Sequence, residues 1–303
     1  MKFSVPSSAD HIFILGAGAS VDYGLPTWAQ LSSLIKEKIK NDTEGHYGHK
    51  QEALDWIDKV GEKGTYSTID ECISKESVSS QYHTNGHHIE NEIFLITKEI
   101  FSERYHDAPG GWIRKLNEKI LANRGFKLEE RIAFVNYNYD HVLEGNFLNF
   151  EHLPAKHRVY THKTHLNDLS GVTAPAFYPH GSLFTDYDLI QLPNTSRLER
   201  SFHTMKTGNG EHLDVVSCFD SGSHTIDSYS GMARKLYILG LGNGLKLNLS
   251  NLQFEIPVSE VHVTIRDKSL KDGILNFLSK KFEIRPDEIK TYDNCDDLVD
   301  FNF

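Results

Sequence analysis

Asn138 and Asp140 stand two residues apart, directly after the apolar run Ile132-Ala133-Phe134-Val135. In extended backbone such residues share one face, so an amide and a carboxylate are presented together. They can hold a sugar hydroxyl, a water or a carboxamide. The plain alternative is an Asx turn, with Asp140 capping a helix through Leu143. Upstream, Gly16-Ala17-Gly18-Ala19-Ser20 follows the apolar run Ile12-Phe13-Ile14-Leu15. Glycines there let the chain turn sharply and bring N–H groups against a pyrophosphate, at the positive end of a following helix. A tight turn without a ligand is the alternative. His180 lies in Tyr178-Pro179-His180-Gly181-Ser182, a rigid loop whose neutral imidazole can act as a base near pH 7. It is also one of 17 histidines, so a plain loop histidine is its bland reading. Leu239-Gly240-Leu241-Gly242-Asn243-Gly244 again follows a strand. Gly240, Gly242 and Asn243 there can approach an adenosine ribose closely, or simply form a flexible loop.

These groups need a frame. Short apolar runs recur at 12–15, 132–135, 236–239 and 261–265, each followed by polar or glycine-rich residues. Amphipathic stripes lie between or after them: Trp28, Leu31, Ile35 and Ile39; Ile89, Ile93, Ile96 and Ile100; Trp112, Leu116 and Ile120; Leu270, Ile274, Phe277 and Leu278. Thr27 and Gln30 have capping-box spacing at the start of the first helix, just after Pro26. The alternation predicts an α/β fold: a Rossmann-like, doubly wound parallel sheet with a helical insertion and a smaller irregular insertion. We read residues 1–303 as a single domain. Core strands are expected within 11–40, 130–145 and 235–300, the helical insertion at about 41–130 and the irregular one at about 151–230.

Composition removes several classes of function. The formal charge is −10 with no Lys/Arg block, which argues against a nucleic-acid partner. No apolar run is long enough for a membrane span, and the N-terminal stretch reads as a core strand rather than a secretory signal. The 3 cysteines, Cys72, Cys218 and Cys295, fit a reducing cytoplasm and cannot build a four-cysteine zinc site. His87-His88 and His162-x-x-His165 have no completing carboxylate or thiolate nearby, so no metal is expected. The dehydrogenase fingerprint G-x-G-x-x-G fails at Val21, and no acidic residue follows at the end of a second strand. Hydride transfer is therefore disfavoured.

The order of these signals resembles the sirtuin superfamily, most closely the Sir2-like NADase domains of bacterial antiphage defence proteins. The resemblance rests on Gly16-Ala17-Gly18-Ala19-Ser20 with Gly24-Leu25-Pro26, on Asn138-Tyr139-Asp140 with Leu143-Glu144, on His180-Gly181, and on the loop near Gly240. It spans residues 11 to about 245. It implies that the chain binds NAD as substrate. Gly16, Ala17, Gly18, Ala19 and Ser20 would hold the pyrophosphate. Asn138 would place a water under the nicotinamide ribose, Asp140 would read the carboxamide, and His180 would be the base on a ribose hydroxyl. Trp28 stands where the family has a ribose-shielding phenylalanine.

Two departures bear on the activity. Sirtuins carry Asp-Phe-Arg after the proline, where this chain has Thr27-Trp28-Ala29. The sirtuin zinc ribbon is absent. Both favour plain hydrolysis of NAD+ to nicotinamide and ADP-ribose over deacylation. The expectation is an NAD+ glycohydrolase serving antiphage defence by abortive infection, held latent until a separate sensor or activator protein, or homo-oligomerisation, switches it on. A non-catalytic nucleotide-binding subunit of a defence complex is the alternative, and an NAD-dependent protein deacylase the weaker one.

Overall fold

The computed structural model describes residues 2–5, 11–61, 64–66, 68–79, 83–106, 108, 110–122, 132–140, 142–143, 158–161, 172–177, 224–228, 234–250, 252–254 and 257–302. The apolar runs become strands β2 (His11–Leu15), β3 (Ile132–Asn136), β7 (Arg234–Leu239) and β9 (Val258–Thr264). With β10 (Ile289–Tyr292) they lie in the order β10-β9-β7-β2-β3, and β5 (Val172–Phe177) and β4 (Arg158–Thr161) extend the sheet beyond β3. Every neighbouring pair is parallel. Every residue of β2 and β3 is buried, which is why these strands read as unbroken apolar runs rather than alternating ones.

Alternate residues feed two cores. Phe13, Leu15, Phe134, Tyr237 and Leu239 pack on one face, against α1 (Trp28–Asn41), α2 (Lys50–Asp58), α3 (Ile69–Ser79), α4 (His83–Arg104), α5 (Trp112–Ala122) and α8 (Cys295–Asn302). Ile12, Ile14, Ala133, Val135, Leu236 and Ile238 pack on the other, against α6 (Leu245–Ser250) and α7 (Lys271–Phe282). The mixed α/β architecture with a parallel sheet is thus present. The stripe Ile89, Ile93, Ile96 and Ile100 is buried along α4, and Leu31, Ile35 and Ile39 along α1. The Thr27 N–H donates to Gln30 Oε1 at 2.8 Å, so the expected cap opens α1. Thr68 caps α3 through its side chain, Oγ1 accepting from the Glu71 N–H at 3.2 Å.

The sheet also reaches where the sequence predicted none. Strands β4 and β5 fall inside the segment 151–230, read above as an irregular insertion; the rest of that segment, apart from one further strand, lies outside the described residues. Pro175 sits within β5, opposite Tyr160, and a proline without its N–H weakens any strand signal. A second parallel sheet is formed by β1 (Lys2–Val5), β6 (His224–Ser228) and β8 (Leu252–Phe254), in the order β1-β6-β8. Each of these strands directly precedes β2, β7 or β9, which neighbour one another in the same order. Among the described residues no helix is long and apolar enough to cross a membrane.

Chain order reverses at β2: β3 lies on one side of it and β7 on the other. In parallel α/β sheets the carboxyl ends of the strands at such a reversal frame a crevice that takes ligands. Gly16 and Gly240 follow those two ends.

Candidate functional site

The two glycine loops are stitched together. Gly16 N–H donates to Leu239 O at 2.8 Å, and Gly18 N–H to Gly240 O at 2.9 Å. A Cβ on Gly18 would fall 2.7 Å from Gly240 Cα, and one on Gly240 would fall 2.1 Å from Ala19 N. Gly240 also has φ +68°, a backbone region that L side chains rarely adopt. The glycines are thus required by backbone packing between the loops. Gly16, Gly18 and Ala19 N–H groups are already bonded within the protein, the last to Gly16 O at 2.8 Å. The element after the turn is a 3-10 helix, Ala17–Tyr23, and the α-helix begins only at Trp28. Ala17 and Gly18 are half-buried, so the tip of the turn remains approachable.

Three polar side chains meet beneath this turn. Ser20 is buried, Asn138 is 4% exposed and Asp140 is 3% exposed. Asn138 Nδ2 donates to Ser20 Oγ at 3.1 Å. Ser20 in turn hydrogen-bonds the Asp140 carboxylate, which also accepts from Val142 N–H at 3.0 Å. Asp140 therefore caps the helical turn at 142–143 and borders the site at once. Asn138 Oδ1 is buried and has no hydrogen-bond partner among the described residues. A buried amide oxygen without a partner costs about 1–3 kcal/mol, so its persistence points to a ligand or water.

Neighbours hold these groups in place. Asn136, buried at the end of β3, accepts from the Asn138 N–H at 3.0 Å. The Tyr137 N–H bonds Leu15 O at 2.9 Å, tying the turn to β2. Trp112 Nε1 donates to Ala19 O at 2.8 Å, pinning the glycine turn to α5. Thr264, at the end of β9, accepts the Gly240 N–H at 2.9 Å. Gly24 has φ +81°, and a Cβ there would lie 2.3 Å from Arg104 O, so the turn into buried Pro26 demands glycine. Thr264 escaped the sequence reading and Trp112 was read only as part of a buried stripe, because each acts through a contact distant in sequence. Asn136 acts on the Asn138 N–H two residues away.

No protein-family model matches this chain, and none of the curated proteins matches it.

Trp28 is half-buried at the first position of α1 and packs edge-on against Tyr139, ring centroids 5.2 Å apart. Tyr139 packs against Phe94 of α4 as well. The aromatic expected to shield a ribose thus also belongs to the rim of one core. Burial pushes the Asp140 carboxyl up to about 6, against which its hydrogen bonds to Val142, Ser20 and its own N–H work. A carboxyl so placed changes charge close to neutral pH, which suits a group meeting substrate.

Ser20, Asn138 and Asp140 are brought together, and the Gly240 loop is brought to Gly16 and Gly18. Gly242 is exposed with φ +48°, and no atom stands within 4 Å of a Cβ built there. His180 lies outside the described residues, as do His162, His165 and Cys218; of Asn243 only the backbone is described. Among the described residues no group of three or more His, Cys, Asp or Glu is placed to hold a metal ion.

Proposed function

We propose that the chain is an NAD-hydrolysing enzyme of the sirtuin-like kind, built on a Rossmann-like doubly wound sheet with helical and irregular insertions. The observation that carries this reading is the buried, unpartnered Asn138 Oδ1 beside a buried carboxyl, at the carboxyl edge where chain order reverses. Hydrolysis of NAD+ breaks the bond between ribose C1 and the pyridinium nitrogen. The electron pair leaves with nicotinamide, the sugar passes through an oxocarbenium-like state, and water adds at C1 with loss of a proton. Nicotinamide is already a cationic leaving group, so placement matters more than strong acid catalysis. Asn138 Oδ1 accepts a hydrogen from the water or a ribose hydroxyl, Asp140 meets the carboxamide, and His180 serves as base. The tip of the glycine turn faces the pyrophosphate, the Gly240–Asn243 loop faces the adenosine ribose, and Trp28 covers the nicotinamide ribose.

An unrestrained activity of this kind would exhaust its host's NAD, so the enzyme is latent in the cytoplasm. A partner protein or self-assembly releases it during abortive infection. The test is release of free nicotinamide and ADP-ribose from NAD+, by the chain alone and with the protein encoded beside it. The expected result is release in the assembled state and its loss in Asn138→Ala. No release in any assembled, triggered state, or full release by Asn138→Ala, would contradict the reading. Binding of NAD+ without turnover in every state would point instead to a non-catalytic nucleotide-binding subunit.

A further inference from the structure

An asparagine amide offers an acceptor on one side and donors on the other, and the two sides differ little in shape. Which side meets a ligand is decided by what the other side touches. Asn138 Nδ2 is held by Ser20 Oγ at 3.1 Å, while Oδ1 stays buried and unpartnered. A serine hydroxyl has a single proton, so it can donate to only one neighbour. Ser20 stands between Asn138 and the carboxylate of Asp140. An ionised carboxylate only accepts, so the Ser20 proton must point to Asp140. The serine lone pair is then left for Asn138, which has to turn its NH2 group toward it.

We infer that Ser20 is a positioning residue that passes the charge of Asp140 on as the orientation of the Asn138 amide, so that the site selects a ligand group able to donate a hydrogen bond. A hydroxyl, a water or an N–H fits opposite Asn138 Oδ1. An isosteric group that only accepts does not. This rests on the reading of the site given above and adds to it the polarity of the group recognised.

Asp140→Asn reverses the whole relay at nearly constant volume. The new amide keeps an oxygen for the Val142 N–H and turns its NH2 to Ser20. Ser20 must then donate to Asn138 Oδ1, and Asn138 presents its own NH2 to the ligand. Protonating Asp140 acts in the same direction. Its carboxyl is raised to about 6 by burial, opposed by the hydrogen bonds from Val142, Ser20 and its own backbone. The adjoining 3-10 helix carries an exposed Asp22 and a buried Tyr23, whose hydroxyl burial keeps protonated well above neutral pH. Among the described residues of the strand's own loop the titratable neighbours are Tyr137 and Tyr139; His141, next in sequence, lies outside the described residues.

The probes are ADP-ribose and two analogues in which fluorine replaces either the 2- or the 3-hydroxyl of the terminal ribose. Fluorine has nearly the size of the hydroxyl but cannot donate. Calorimetric titration of the full chain at pH 8 should show at least one analogue binding about tenfold or more weaker than ADP-ribose. In Asp140→Asn and Ser20→Ala that ratio should fall to within about threefold, and for the unaltered chain it should fall likewise at pH 5. Asp140→Asn should keep its low ratio at both pH values. A ratio near one for the unaltered chain at pH 8, or a high ratio surviving in Asp140→Asn, overturns the inference alone. Failure of the unaltered chain to bind ADP-ribose at all overturns the reading of the site, and the inference with it.

Discussion

His11 opens β2 and Ser20 lies just beyond its end, and both are buried polar side chains, yet their surroundings differ in kind. From His11 a ladder of rings crosses four strands. His11 Nδ1 lies 2.9 Å from the Tyr237 hydroxyl, Tyr237 stacks on His262 at 4.7 Å, and His262 Nδ1 lies 3.0 Å from the Tyr292 hydroxyl. His262 Nε2 faces Glu260 at 3.3 Å, and Glu260 is paired with Lys235 and Lys290. Each polar atom of the ladder named here faces another side chain within 3.3 Å, His262 Nε2 through its approach to Glu260 and without a hydrogen bond. In the cluster under the glycine turn, Asn138 Oδ1 meets none among the described residues. Buried polar groups that satisfy one another stabilise and orient a fold; one left open marks where another molecule is wanted. On the function proposed above, the ladder belongs to the architecture and the cluster to the chemistry.

The strongest way to break this contrast is to disturb the loops that roof the cluster. Gly240→Ala forces a Cβ to within 2.1 Å of Ala19 N at an unfavourable φ. It should lower the unfolding free energy by about 3 kcal/mol or more in chemical denaturation. Asn138→Ala should remove about a hundredfold or more of the nicotinamide release, with the melting temperature unchanged or slightly raised. An equal loss of activity and of fold would place Asn138 with the ladder instead.

Two titrations sharpen the contrast further. Asp140 has its folded pKa raised, to about 6, so the stability it allows is complete below the ordinary carboxylate value and is lost as pH rises through 6. Asp140→Asn should therefore stabilise the protein at pH 8 by about 2 kcal/mol and by little at pH 4, read from melting curves at both. His262 is shifted the other way: burial lowers it to about 4 in spite of Glu260. Its contribution is complete above about 6.5 and is lost as pH falls toward 4. In His262→Phe, which keeps a ring on Tyr237, the loss of stability between pH 7 and 5 should shrink by about 1 kcal/mol. Gly242→Ala should have the smallest effect, about 1 kcal/mol in the same denaturation, because its Cβ meets open space and only φ is strained.

Strands β2, β3 and β7 were legible because burial on both faces leaves an apolar run, and β9 by its β-branched Val261, Val263 and Thr264. Strand β10 was not, since only Ile289 of its residues is buried. Strand β5 was masked by Pro175, and the three strands of the small sheet are short and partly polar. At the site, Asn138 and Asp140 were legible as a spaced pair after a strand. Their junction at Ser20 was not, because a contact across 118 positions leaves no local pattern. The glycines were legible as a tight turn, but not the reason for it: Gly16 and Gly18 are small because Gly240 lies against them. Asp140 meets one of its two expected readings, as a helix cap for the turn at 142–143; its role toward a ligand belongs to the function proposed above.

A crystal structure of the protein with ADP-ribose tests the central claim most directly. The account predicts the terminal ribose, or a water beside it, within hydrogen-bond distance of Asn138 Oδ1, with Asn138 Nδ2 still on Ser20 and the pyrophosphate at the tip of the glycine turn. A ligand bound elsewhere, or an Asn138 Oδ1 satisfied by the protein itself while ADP-ribose is bound, would contradict it.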